Sequence, residues 1–233
     1  MKESWKRPES SSYEDEAYRS YSRLRYPMSL LGSRKFRDLC TSRDRLVQSE
    51  AHALFHQHGL RVSNVLDLGA NRGNFSIVAS QYAANVVSIE PHPLAFKVLR
   101  KNARSNMTLL NAAAAVGSSP KWLNLMTISH RDKFRTLYKS ESSSCVEGKF
   151  DLDSQSSIHV RTCDLTSLVR ETFFDVIKMD VEGSELQLLP YLKANSSKFG
   201  MLFVEVHTSK FPQKDEFLAL YDDLPTNIFL DWI

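Results

Sequence analysis

Three short apolar runs in this chain end in an acid. Val65-Leu66 leads to Asp67, Val86 to Ile89 leads to Glu90, and Val176 to Met179 leads to Asp180. A carboxylate at a strand tip can order the next loop, accept from a pair of hydroxyls, or take a proton. The chain has eight glycines, yet Gly69 and Gly73 fall four apart, directly after the first acid. Glycine lacks a Cβ, so the backbone there can bend sharply and a ligand can approach it closely. A strand, a glycine turn and an amphipathic helix in that order describe a parallel strand handing over to a helix around a nucleotide-like ligand.

The turn limits what that ligand is. A dinucleotide fingerprint is G-x-G-x-x-G, with a pyrophosphate on the helix N-terminus. Here the order is Asp67-x-Gly69-x-Asn71-x-Gly73. An acid at the strand end repels a diphosphate but suits a cationic or amine-bearing ligand. S-adenosylmethionine carries a sulfonium and an amino group and no phosphate. On this reading the backbone from Gly69 to Gly73 lines its methionine part, while Asp67 orders the loop or meets the amino group. The alternative is an ordinary βα turn whose acid caps the next helix.

Glu90 lies 21 positions beyond Gly69. In a doubly wound α/β sheet an acid at that distance ends the second strand and accepts from ribose hydroxyls. Pro91 and Pro93 fix the chain beside it. In the third segment Asp180, Glu182 and Glu185 crowd the carboxyl end of a strand, where ligands of open α/β sheets bind. Glu185 reads as an acid favoured in a helix first turn. Asp180, at the strand tip, is the first candidate for a base or an acceptor-orienting group. His207, at the tip of the strand Met201 to Val206, is the second, because an imidazole titrates near neutrality. Glu205, inside that strand, requires a partner, and Lys178 on the neighbouring strand is positioned to supply it.

Together these segments resemble the FkbM-type family of S-adenosylmethionine-dependent methyltransferases. The similar residues are Leu66 to Gly73, Ser88 to Pro93, Leu110 to Ala113, Ile177 to Leu186 and Phe203 to His207. The Asp-Val-Glu-Gly-x-Glu block beginning at Asp180 is the specific part. The resemblance implies a Rossmann-like class I methyltransferase sandwich, with a mostly parallel central sheet and helices on both faces. It implies methyl transfer to oxygen but names no acceptor, so small molecules, glycans and other hydroxyl compounds stay open. The expected cofactor contacts are Asp67, Gly69, Ala70, Asn71, Gly73, Glu90, Pro91, Asn111, Ala112 and Asp180. Asn111 either meets the adenine edge or is a turn residue.

Helices and strands alternate as βαβ units require. A helix is expected over 44–58, then strands and helices at 65–67, 74–83, 85–90, 94–103 and 107–111, with Asp164 capping a helix over 165–171. Strands over 121–128 and 158–162 flank a polar loop, 129–157, which is the candidate lid over the acceptor. After His207 only a helix (214–224) and a strand (227–232) remain, so the sheet is expected to lack its last antiparallel strand. That leaves an edge for a second copy of the chain, or for the N-terminal arm, to cover.

At 233 residues and 42% hydrophobic, the chain suits one α/β domain, with an extension over 1–43 and the methyltransferase unit over 44–233. The net charge of +3 is too small to imply nucleic acid. The extension is basic and interleaved with Tyr18, Tyr21 and Tyr26, which suits phosphate contact or a solvated arm; without a base-reading motif the second reading is preferred. His52 and His56 share a helix face but have no third ligand, and they read with His58 as surface residues rather than a metal site. The three cysteines have no zinc spacing, no run reaches membrane-spanning length, and the N-terminus has no secretory h-region. These features point to a cytoplasmic protein. Two other functions fit a sheet of this kind. A nicotinamide-dependent oxidoreductase requires three glycines and no acid at position 67. A non-catalytic module would keep the fold without turnover.

Overall fold

The computed structural model describes residues 24–25, 38–39, 42–57, 62–117, 121–128, 155–206 and 224–232. The chain runs β1 (Leu24–Arg25), β2 (Asp38–Leu39), α1 (Ser42–Gln57), β3 (Val62–Leu68), α2 (Asn74–Ala79), β4 (Ala83–Ile89), α3 (Pro93–Asn102) and β5 (Met107–Leu110). It continues through β6 (Ala113–Ala115), β7 (Trp122–Ile128), β8 (Gln155–Asp164), α4 (Leu165–Glu171), β9 (Phe174–Met179), α5 (Glu185–Ala194), β10 (Phe199–Val206) and β11 (Ile228–Trp232).

Six strands form one sheet in the order β11-β10-β9-β3-β4-β5, and every pairing in it is parallel. The order reverses between β3 and β9, which leaves a crevice at the carboxyl ends of these two strands. This is the expected α/β sandwich, and among the described residues no antiparallel strand joins the six. β6, β8 and β7 make a separate small sheet, with β7 and β8 antiparallel and β6 parallel to β8.

The alternation of side chains along β3 explains how the sheet holds both layers. Leu66 and Leu68 face one core, with Leu165 and Val169 of α4 and Leu188, Leu189 and Leu192 of α5. Val65 faces the other, with Ala51, Leu54 and Phe55 of α1 and Phe75, Val78 and Ala79 of α2. Each fully buried aliphatic side chain contributes about 1.5–3 kcal/mol. Both faces are therefore covered, as a parallel sheet requires.

Element positions differ from the sequence expectations in informative ways. α2 stops at Ala79 rather than Ala83, because Tyr82 N–H turns back onto the Ala79 carbonyl and Ala83 already pairs with Val62 in the sheet. Asp164 caps α4 as expected, accepting from Thr166 N–H at 2.9 Å and from the Ser167 hydroxyl at 2.8 Å. The expected lid lies outside the described residues up to 154, and its last three positions, 155–157, belong to β8. Most of the expected 214–224 helix also lies outside them.

Candidate functional site

The register lines up one row of side chains across the sheet. Ser88 pairs with Asp67, Asp67 with Lys178, Lys178 with Phe203, and Phe203 with Phe229. Two residues further along, the chain on the same face reaches Glu90, Gly69, Asp180 and Glu205. Three of those four positions are acidic, and Gly69 leaves a gap among them. The sheet thus ends in a rim of carboxylates, with a buried lysine set one step below.

Asp67 is fully buried beneath α2. The Ser76 hydroxyl donates to Asp67 Oδ2, and the Ser88 hydroxyl donates to Ser76 Oγ at 2.8 Å. Burial pushes the Asp67 carboxyl above its ordinary value, against the pull of Lys178 and Ser76. Its Oδ1 makes no hydrogen bond to the protein. Of the two roles considered for Asp67, ordering the loop is the one these contacts describe.

The loop after β3 is held open by left-handed backbone. Gly69 has φ 78°, Asn71 50° and Gly73 93°. A Cβ on Gly69 would lie 1.8 Å from the Asp180 carbonyl oxygen, so only glycine lets the β3 and β9 loops abut. A Cβ on Gly73 would meet Leu99 of α3 at 2.5 Å. Gly69 and Ala70 both donate to the Ile89 carbonyl at 3.0 Å, which ties the turn to β4.

Glu90 completes that tie. Its Oε2 accepts from Asn71 N–H at 2.7 Å and its Oε1 from His92 N–H at 2.6 Å. Burial nevertheless raises its pKa to about 7, because two amide donors do not offset the loss of water. His92 is buried beside it and caps α3 through Nδ1, with its pKa lowered to about 4 by burial. Asn111 sends its amide to the carbonyls of Glu90 and Pro91, at 2.8 and 3.1 Å. That donor group holds the β4 end. Ala112, next to it, is buried.

Lys178 Nζ sits 2.9 Å from Asp180 Oδ2. Burial opposes its charge, yet Asp180, Glu205 and Asp67 together hold it above the usual lysine range. The expected partnership with Glu205 is therefore shared: Asp180 makes the direct contact and Glu205 acts on the same ammonium electrostatically. Glu185 is fully buried in the first turn of α5, where a helix favours an acid. His52 is half-buried and bonded to the Tyr82 hydroxyl at 2.9 Å, so it is a packing residue rather than a surface one. His207 lies outside the described residues, as do the side chains of His56 and His58.

A cleft of about 480 Å³ opens over this rim. Gly69, Ala70, Asn71, Lys178, Asp180 and Glu205 line it, with Glu182 in the left-handed region at φ 50°. Left-handed non-glycine residues cost energy and gather at functional loops, and among the described residues both of them, Asn71 and Glu182, line this cleft. Ser76 and Ser88 carry the network without having stood out in the sequence, and Lys178 had stood out only as a partner for Glu205. Strand pairing puts Ser88 and Lys178 in the row with Asp67, and the packing of α2 over β3 brings Ser76 to it.

The family model described as Methyltransferase FkbM domain matches residues 67–227. The chain belongs to the FkbM methyltransferase family. No curated protein matches this FkbM-family chain. Among solved structures it is similar to a conserved hypothetical protein from Streptococcus pyogenes, at 17% identity over 64% of this chain and 67% of that one, with a TM-score of 0.32. It is similar to the bifunctional kinase-methyltransferase WbdD at 14% identity, over 92% of this chain but 39% of WbdD, with a TM-score of 0.39. A tRNA methyltransferase from M. jannaschii is 18% identical over 44% of this chain and 40% of its own, with a TM-score of 0.26. These likenesses are distant, and the fold of the FkbM-family chain rests on its strand order. No helix among its described residues is long and apolar enough to cross a membrane.

Proposed function

We propose that this FkbM-family chain is an S-adenosylmethionine-dependent methyltransferase acting on a hydroxyl group. The observation that carries the reading is the hydrogen bond from Asn71 N–H to Glu90 Oε2. It joins the acid that ends β4 to the left-handed turn that ends β3, so a diol acceptor and a bare backbone cradle face one crevice.

The residues fit that cofactor. Gly69 and Gly73 keep the cradle free of side chains, and the rim of acids around Asp67 and Glu90 suits a ligand with positive charge and no phosphate. Glu90 has lone pairs beyond those given to Asn71 and His92, which suit ribose hydroxyls. Asn111 and Ala112 stand at the end of β5 for the base, with Pro91 beside them. When bound, S-adenosylmethionine supplies a methyl group on a sulfonium that is already activated, so the protein mainly positions and excludes water. Asp180, or His207 just beyond β10, holds the acceptor hydroxyl and takes its proton. Lys178 matches the charge of Asp180 and keeps it aimed into the cleft.

Titration calorimetry with S-adenosylhomocysteine and with NAD tests the reading. Tight binding of the first and none of the second is expected, with Glu90→Ala weakening it. Asp180→Ala keeps that affinity and loses transfer of labelled methyl to fractionated cell extract. Preferential NAD binding, or full activity in both variants, overturns the proposal.

A further inference from the structure

Lys178 carries more donors than the protein uses. An ammonium has three N–H bonds and no lone pair. Among the described residues Asp180 is the one hydrogen-bond partner of Nζ, at 2.9 Å. Glu205 and Asp67 act on the same charge through space, and neither is joined to it by a hydrogen bond. Two donors are therefore unmatched by described residues, although the residue is only 9% exposed. Unpaired donors are costly to bury, so the ion pair alone does not account for them.

The position of Lys178 shows where an acceptor for those donors belongs. The side chain lines the cleft together with Gly69, Ala70 and Asn71. It also lines an apolar hollow between α1 and β10, with Ala51, Leu54 and Phe203. The ammonium thus stands where the glycine cradle and that hollow meet, against Asp180.

We infer that Lys178 is a catalytic residue whose unmatched N–H groups hold the oxygen of the methyl acceptor. This rests on the methyltransferase reading above and adds a second reacting contact to that site. The acceptor oxygen lies between two partners of opposite kind: Lys178 donates to it, and Asp180 receives its proton. As the O–H bond breaks, an electron pair of the oxygen forms the bond to the methyl carbon, and the carbon–sulfur pair leaves on sulfur. The positive charge on sulfur and the negative charge on Asp180 disappear together, and Lys178 keeps its proton. An ammonium aimed at the oxygen stabilises the charge that builds there as the proton departs. Asp180, Glu205 and Asp67 keep Lys178 charged, so it has no lone pair with which to act as the base.

The test uses the full chain and the extract fraction to which it transfers most labelled methyl. Lys178→Gln should lower kcat about 100-fold or more, while S-adenosylhomocysteine affinity by calorimetry stays within about twofold. The loss should shrink as pH rises, because hydroxide then ionises the acceptor without help. Lys178→Arg, which keeps a charged donor, should be at least about tenfold faster than Lys178→Gln. NMR of the lysine ammonium groups gives a second reading on the unmodified chain. The signal that Lys178→Arg lacks should move when the fraction is added to the S-adenosylhomocysteine complex. An unmoved signal overturns the inference, as does an unchanged kcat in folded Lys178→Gln, a loss equal at every pH, or an arginine variant no faster than the glutamine one. The ammonium signal decides alone if Lys178→Gln does not fold. Failure of the unmodified chain to bind S-adenosylhomocysteine, or to label any fraction, would instead defeat the methyltransferase reading.

Discussion

Lys178 near the end of β9 and Asp180 just past that end sit two residues apart, and their charged atoms meet at 2.9 Å beside the cleft. A strand places i and i+2 on the same side, so the pair needs no loop to bring it together. The neighbouring strands add Asp67 and Glu205 to the same ammonium. One lysine therefore holds acids from three strands.

Lys178→Met should leave these carboxylates facing one another without a cation. The expected loss is about 3 kcal/mol of unfolding free energy near neutral pH, since removing one partner of a buried pair exposes the cost of the others. The loss should shrink in acid, where the carboxylates protonate. Urea titration at pH 5 and pH 8 measures both. An equal loss at the two pH values would show that Lys178 matters only as packing.

Glu90 and His92 make opposing contributions to stability against pH. The Glu90 pKa is raised from 4.5 to about 7 in the fold, so the folded state binds the extra proton and stability falls as pH rises through that window. The His92 pKa is lowered from 6.5 to about 4, so the unfolded state binds the extra proton and stability rises over that window. From about pH 4.5 to 6.5 the two slopes cancel. Glu90→Gln should unmask a rise relative to the parent protein, and His92→Asn, which keeps a cap, should unmask a fall. Chemical denaturation across that range reads the difference.

The same proton should oppose the cofactor. Ribose hydroxyls donate to a carboxylate, so binding requires Glu90 ionised, and its pKa of about 7 makes affinity pH-dependent. S-adenosylhomocysteine should bind about tenfold more tightly at pH 8 than at pH 6, by the ionised fraction alone. Glu90→Gln should bind more weakly and lose that dependence. Calorimetry at the two pH values checks it.

Gly69→Ala should be among the most damaging single-atom additions. Its Cβ would overlap the Asp180 carbonyl oxygen, and φ 78° disfavours any side chain. The backbone has to move, at a cost above about 2 kcal/mol. Thermal unfolding should show the loss, together with weaker S-adenosylhomocysteine binding.

Ser76→Ala should cost about 1–3 kcal/mol, because it strips the hydroxyl from a carboxylate that has no water to turn to. Adding Asp67→Asn should recover part of the loss, since a neutral amide tolerates burial better. A double-mutant cycle in urea tests the coupling; additive losses would mean that the two side chains act independently.

The sequence by itself determined the local pieces. Alternation of apolar and polar residues marked the strands, Gly69 and Gly73 marked the turn, and Asp164 marked a helix start, because each depends on neighbours within a few positions. It also carried the family, since the Asp180-Val181-Glu182-Gly183 block is contiguous. Only the tertiary structure decided which acids share a face. Asp67, Glu90, Asp180 and Glu205 are far apart in the chain, and parallel register brings Glu90, Asp180 and Glu205 to one rim with Asp67 one step below it. Ser76 is an unremarkable helix serine until β3 folds beneath it, and Lys178 suggested one partner where the sheet supplies three.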